Sequence, residues 1–235
     1  MKYLAVVLVA LGACVAEPPP PEGEQVTSYV DTHIIPMSFN AQIDVLFVID
    51  SSPAMAAAQQ KLVADYRAMI ETMSHAAVGE LPDVHIGVVT ADAVDQGRLR
   101  RGSFLADSPR FAWRREKNYA GPLADAFVPL ATVGATGHAL VQPLDAVLRA
   151  LSPTVNPGFV REDAYLAIVV LTAGDDQSAT PIEDVVHALK SRKTDPTRIV
   201  IGLAAGACSK DGITATAAPR LAAFADQFPN RNTRV

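Results

Sequence analysis

Cysteine, aromatic residues and basic charge are all scarce in this chain, and each scarcity closes something off. Two Cys in 235 residues, Cys14 and Cys208, leave no room for a disulfide framework. Lys and Arg number 20 against 25 Asp and Glu, and a net charge of -5 argues against nucleic acid as the main partner. Aromatics make up only 6% while hydrophobic residues make up 49%, a balance that suits one globular domain of ordinary size with appendages. The first apolar run, Tyr3 to Ala10, is too brief to span a bilayer. No Gly-x-x-x-x-Gly-Lys phosphate loop exists, and His33, His75, His85, His138 and His187 include no pair three or four apart, so none has metal spacing.

What is there begins with the leader. "MKYLAVVLVALGACVAE" has one Lys, an apolar stretch and then Leu11-Gly12-Ala13-Cys14, which reads as a short secretory signal. Its end resembles the lipobox of bacterial lipoproteins, in which the Cys is lipidated and becomes the new N-terminus. The plain alternative is an ordinary signal cleaved elsewhere, for instance after Ala16. "EPPPPEGEQVTSYVDTH" (17–33) follows, a semi-rigid polyproline spacer that would hold a domain off a membrane. The expected organisation is a signal peptide at 1–13, a lipidated N-terminus and linker at 14–40, and one domain at 41–235. Several acyl chains anchor firmly, at about 0.8 kcal/mol for each buried methylene. The expected location is the bacterial cell envelope, at the outer membrane, with the domain facing periplasm or exterior. In that compartment Cys208 would be left as an unpaired thiol.

Four apolar stretches predict buried parallel strands: "IDVLFVID" (43–50), "DVHIGVVT" (83–90), "YLAIVVLT" (165–172) and "RIVIGLAA" (198–205). Helical patterns lie between them at 54–76, 137–152 and 180–192, the last opening with a Thr cap and a Pro in its first turn. Strands alternating with helices predict an α/β fold, a doubly wound and mostly parallel sheet flanked by helices. Residues 95–121 predict a hairpin or extended loop. Their mixture of Arg98, Arg100, Arg101, Arg110, Arg114, Arg115 and Lys117 with aromatics reads as a solvated insertion rather than a polyanion surface.

Ligands of such sheets collect beyond the carboxyl ends of the strands. Three loops there carry hard oxygens: "IDSSPAM" after the first strand, "VGATGHAL" (133–140), and "LTAGDDQS" (171–178). Taken in order, "DVLFVIDSSPAMAAAQQKL" and "GATGHALVQPLDAVLRALSPTVNPGFVREDAYLAIVVLTAGDDQS" resemble the von Willebrand factor type A domain, in the branch found in secreted bacterial lipoproteins. The resemblance covers most of the chain from about residue 42.

It implies a metal-ion-dependent adhesion site for Mg²⁺ or a similar divalent cation, with Asp50, Ser52, Thr136 and Asp175 as ligands and a protein partner bound through the metal. The motif is incomplete. Ala54 stands where the second Ser belongs and Ala173 where the later Asp belongs, with Asp175 and Asp176 two and three residues on. His138 and Gln177 stand where that branch has Cys. Cys208 would pair, in relatives, with a Cys of a final strand, and here the last strand and helix are expected to be missing.

Three functions follow as expectations. The first is a membrane-anchored, non-enzymatic module that binds a protein of unknown identity without depending on metal. The second is the same module with a working Mg²⁺ site. The third is a Mg²⁺-dependent phosphoryl-transfer enzyme with Asp50 as nucleophile. Against the third, a dehalogenase-like nucleophile loop would want Asp at position 52, where Ser stands. The bland reading of Asp50 is a helix cap, and of Asp175 and Asp176 a capped turn.

Overall fold

The computed structural model describes residues 4–5, 34–35, 42–76, 81–111, 114–205 and 218–234. Two short strands, β1 (Leu4–Ala5) and β2 (Ile34–Ile35), pair antiparallel with each other. The main body follows as β3 (Gln42–Ile49), α1 (Ala56–Ala76), β4 (Asp83–Thr90), β5 (Leu105–Phe111), β6 (Arg114–Lys117), α2 (Leu123–Ala131) and α3 (Pro143–Ala150). It ends with β7 (Tyr165–Thr172), α4 (Ile182–Lys190), β8 (Ile199–Ala205), α5 (Pro219–Ala225) and β9 (Asn230–Arg234). The lipobox Cys14, the proline spacer and Cys208 lie outside the described residues.

The seven-stranded sheet runs β6-β5-β4-β3-β7-β8-β9. Pairings from β4 through β3, β7 and β8 to β9 are parallel, and β5 and β6 are added antiparallel. Leaving out β6, the order is 3-2-1-4-5-6, that of a doubly wound nucleotide-binding sheet, and it reverses between β3 and β7. This is an α/β fold with a mixed, mostly parallel sheet flanked by helices.

Each central strand is covered on both faces because its side chains alternate. Val45, Phe47 and Ile49 of β3 face α1 and α2, where Phe127 packs tilted against Phe47 and meets Tyr66 edge-on. Leu46 and Val48 face the opposite core, built from α3, α4, α5 and Phe159.

Several boundaries differ from the sequence reading. The helix expected over 137–152 is confined to α3 because Pro143 occupies its first turn, and 137–142 form a connection that crosses the sheet end. No side chain caps α4 locally, and the Thr180 carbonyl instead accepts from Arg220 Nη2. β5 and β6 pair as the expected hairpin strands, and they extend the sheet. The last strand, expected to be missing, is present: β9 lies parallel to β8.

The amino ends of the strands are tied by a charged cluster. Asp44, 0% exposed, accepts from Arg161 Nε (2.8 Å) and from the Arg161 backbone N–H (2.6 Å). Arg161 also donates to Asp83 Oδ1 (2.6 Å) and to the carbonyls of Ile43 and Asp83. The fully buried Lys193 donates to the Arg161 carbonyl and lies 3.8 Å from Asp44. Burial pushes the Asp44 carboxyl up, against the pull of Arg161 and Lys193, and pushes the Lys193 ammonium down, against the pull of Asp44.

Candidate functional site

At the opposite end, where strand order reverses, the chain leaves β3 through Asp50-Ser51-Ser52-Pro53. Pro53 sits at the start of a short 3-10 turn, where its missing N–H costs nothing, and the Ala-rich α1 continues from it. Asp50 is 0% exposed. Its Oδ1 accepts from the Ser52 N–H (2.7 Å), and its Oδ2 accepts from the Thr172 hydroxyl and the Ala173 N–H (3.1 Å each). The carboxylate thus bolts the end of β3 to the end of β7. Gln59 of α1 reaches the Asp50 carbonyl through Nε2 (3.4 Å), leaving its own buried Oε1 without a donor.

A second carboxylate stands beside the first. Asp92, just past β4, accepts from the Val94 N–H (3.0 Å) and from the His138 N–H (2.9 Å), with the His138 ring Nδ1 also 2.9 Å away. Burial alone would raise its pKa, but the N–H donors of His138 and Val94 and the His138 ring outweigh that and hold it below the usual carboxylate value. The sequence reading missed Asp92. Its signal was an acid immediately after a buried strand, in "VVTAD".

The connection carrying Thr136 and His138 is stitched across this end. The Gly137 N–H donates to the Ser51 carbonyl (2.7 Å), Asp92 and Val141 form a bridge, and the Gln177 N–H donates to the Val141 carbonyl (2.9 Å). Gly137 is required by closeness: a Cβ there would lie 2.3 Å from Ser51 Oγ and 3.1 Å from Asp92 Oδ2.

The structure therefore gathers three of the four expected ligand residues at one crest. Asp50 and Ser52 are buried in its floor, and Thr136 is exposed on the connection beside Ser51. Asp175 does not join them. Its Oδ2 accepts from the Arg220 N–H and its Oδ1 from the Leu221 N–H, both at 3.0 Å, which caps the first turn of α5. Asp176 accepts from the Leu144 N–H (3.1 Å) and from the Ser178 hydroxyl, which itself accepts from the Asp145 N–H (2.9 Å), so α3 is capped from the same loop. Asp176 Oδ2 also holds Arg220 Nε at 2.6 Å. The pair "DD" serves two helix N-termini.

Mg²⁺ demands near-octahedral oxygens at about 2.0–2.1 Å. Against that demand, Ala54 and the buried Ala173 supply no ligand atom, Asp175 is spent on α5, and Asp50 already accepts three hydrogen bonds. Among the described residues no three His, Cys, Asp or Glu side chains converge as a metal cluster. The residues present do not fit the ion that the sequence motif implies.

No protein-family model and no curated protein matches the chain. Among solved structures it is similar to proximal thread matrix protein 1 of the mussel byssus, at 17% identity over 71% of this chain and 37% of that one, with a TM-score of 0.40. A form of that protein with a zinc-occupied MIDAS motif gives 8% identity over 83% and 44%, with a TM-score of 0.45. The pilus adhesin RrgA of Streptococcus pneumoniae gives 13% over 69% and 25%, with a TM-score of 0.33. The chain spans less than half the length of each.

Proposed function

We propose that the chain is a lipid-anchored, non-enzymatic recognition module of the von Willebrand factor type A kind, which binds a protein partner at the crest without a metal ion. The observation that carries this reading is the crest's surface. Val94 (65% exposed) and Leu140 (51%), the large exposed hydrophobics among the described residues, both lie in the loops at that end of the sheet, as do exposed Pro53, Ala54 and Ala139. Exposed apolar groups gathered on one rim suit a protein interface better than bulk water. A nucleophilic role for Asp50 is disfavoured by its full burial and its three donors. Among the described residues no helix is long and apolar enough to cross a membrane; the proposed attachment is through a lipid on Cys14.

Thermal unfolding with and without millimolar Mg²⁺ or Mn²⁺ tests the metal-free reading. A ligand at 100 times its Kd would add about 2.7 kcal/mol of stability. No cation-dependent rise is expected, and a rise that Asp50→Ala abolishes would overturn the reading. For the anchor, Cys14→Ala is expected to end acyl labelling and release a soluble form. Labelling that survives would refute it.

A further inference from the structure

The end of the sheet opposite the crest carries a cleft that the fold leaves open. β5 runs antiparallel to β4 with Asp107 opposite Val84, so it continues through Phe111 past Asp83, the first residue of β4. β6 pairs back along it, with Glu116 opposite Ser108 and Lys117 opposite Asp107. Beside this hairpin lies a cleft of about 380 Å³ lined by Asp83, Ser108, Arg110, Glu116, Lys117 and Asn118. That volume is within the range of small-ligand sites. The lining carries charge of both signs, and not all of it is engaged. Asp83 belongs to the fold: its Oδ1 accepts from Arg161 Nη1 (2.6 Å) and from the Ser108 hydroxyl (2.8 Å), and its Oδ2 accepts from Gln42 Nε2 (3.2 Å). Arg110 and Glu116 meet through Nε and Oε2, with side chains 61% and 62% exposed. Among the described residues, Arg110 Nη1 and Nη2 and Glu116 Oε1 have no partner. Lys117 Nζ donates to the Gly121 carbonyl (2.6 Å) above the Tyr119 ring, which leaves two of its three N–H groups for a ligand. An exposed pair such as Arg110 and Glu116 is weak and opens to a ligand that offers the same two charges.

Gln42 fixes where the cleft stands in the whole chain. It is the first residue of β3, where the chain coming from Cys14 joins the sheet, and its side chain touches Asp83 in the cleft wall. A chain the length of residues 15–41 reaches on the order of tens of ångströms. A lipid on Cys14 therefore puts the cleft, and not the crest, at the root of the tether, where bilayer headgroups stand at high effective concentration and weak contacts suffice. We infer that the hairpin cleft takes a zwitterionic phospholipid headgroup, a phosphate with a primary ammonium, from the bilayer that holds that lipid. The Arg110 fork and Lys117 receive the phosphate, since a guanidinium pairs two phosphate oxygens at once, and Glu116 receives the ammonium. The source of the ligand rests on the lipid anchor proposed above, whereas its chemistry rests on the cleft residues alone.

The test follows the isotope-labelled full chain by NMR, reading the Ala106, Ser108, Glu116 and Asn118 amides against Gly137 and Ala173 at the crest. The probes are bicelles of phosphatidylcholine alone, the same bicelles with part of the lipid replaced by phosphatidylethanolamine or by phosphatidylglycerol, and soluble O-phosphoethanolamine. Phosphatidylethanolamine bicelles are expected to shift the cleft amides saturably, at least about tenfold more tightly than phosphatidylcholine bicelles, whose quaternary ammonium has no N–H for Glu116. Soluble phosphoethanolamine is expected to shift the same amides at higher concentration. Arg110→Gln, at an exposed position, should weaken both responses, and Glu116→Gln should remove the preference for phosphatidylethanolamine over phosphatidylcholine. An equal response to all the bicelles, a preference for phosphatidylglycerol, or no shift of the cleft amides would overturn the inferred ligand. A response to soluble phosphoethanolamine with none to the phosphatidylethanolamine bicelles would overturn the headgroup as its source. Acyl labelling of Cys14 is read separately: cleft binding without a label overturns the anchor alone, and a label without cleft binding overturns this inference alone.

Discussion

Replacing Arg161 with methionine tests the physical account of the fold most directly. The side chain is mostly buried and makes hydrogen bonds to Asp44, Asp83 and two carbonyls, so it joins the segment before β7 to the first residues of β3 and β4. Methionine keeps much of the volume and removes every donor of the head group. Asp44 would remain wholly buried, keeping the backbone N–H of residue 161 as a donor (2.6 Å) but no cation within hydrogen-bond reach, since Lys193 and His85 each lie 3.8 Å away. Removing one partner of a buried ion pair typically costs about 3–5 kcal/mol, because the other charge stays buried without compensation. For a domain of this size each kcal/mol lowers Tm by about 2–4 °C, so a fall of roughly 6–20 °C is expected. Urea denaturation followed by far-ultraviolet circular dichroism would measure it, with the slope checked for two-state behaviour. Asp44→Asn in the Arg161→Met background should cost far less than the sum of the two single changes, since the stranded charge is then gone. A loss below about 1 kcal/mol, the range of an exposed pair, would refute the reasoning.

Three further outcomes follow from the crest and its caps. Gly137→Ala should destabilise by about 1–3 kcal/mol and shift the Ser51 and Asp92 amide resonances, because the new methyl must displace Ser51 Oγ from 2.3 Å. Asp175→Ala should cost about 0.5–2 kcal/mol through loss of the α5 cap, and amide hydrogen exchange should rise first at Arg220 and Leu221. Asp92 titrates below its ordinary value when folded, so as pH falls the unfolded chain takes up the proton first and the stability it contributes is lost. Asp92→Asn should therefore destabilise at about pH 7 and approach wild type at about pH 3, as read from urea midpoints; a difference that does not shrink on acidification would contradict this.

The strands could be read from the sequence because burial on both faces writes itself as an unbroken apolar run, and 83–90 and 165–172 are strands to the residue. Helices that are short were harder. α2 contains Pro129, which argues against a helix locally, and α5 has seven residues and takes its cap from Asp175, far back in the chain. The same distance in sequence hid the roles of Asp175 and Asp176. Adjacent carboxylates after a strand look like ligands until their donors, at residues 144 and 220–221, are brought near by the fold. Arg161 was hidden for a similar reason, although Asp44 inside "IDVLFVID" was itself a signal, since a charge in a buried run needs a partner.

The charged knot at the amino ends has a bearing on how this protein can change. Its bonds are made by Asp44, Asp83, Arg161 and Lys193, none of which borders the crest, so the far end of the sheet has a long-range fastening of its own. Exposed positions such as Ala54, Thr136 and Leu140 can then vary, by drift or by grafting, while the body beneath them holds its shape. A lineage built this way can reshape its crest one loop residue at a time without first having to relearn how to fold.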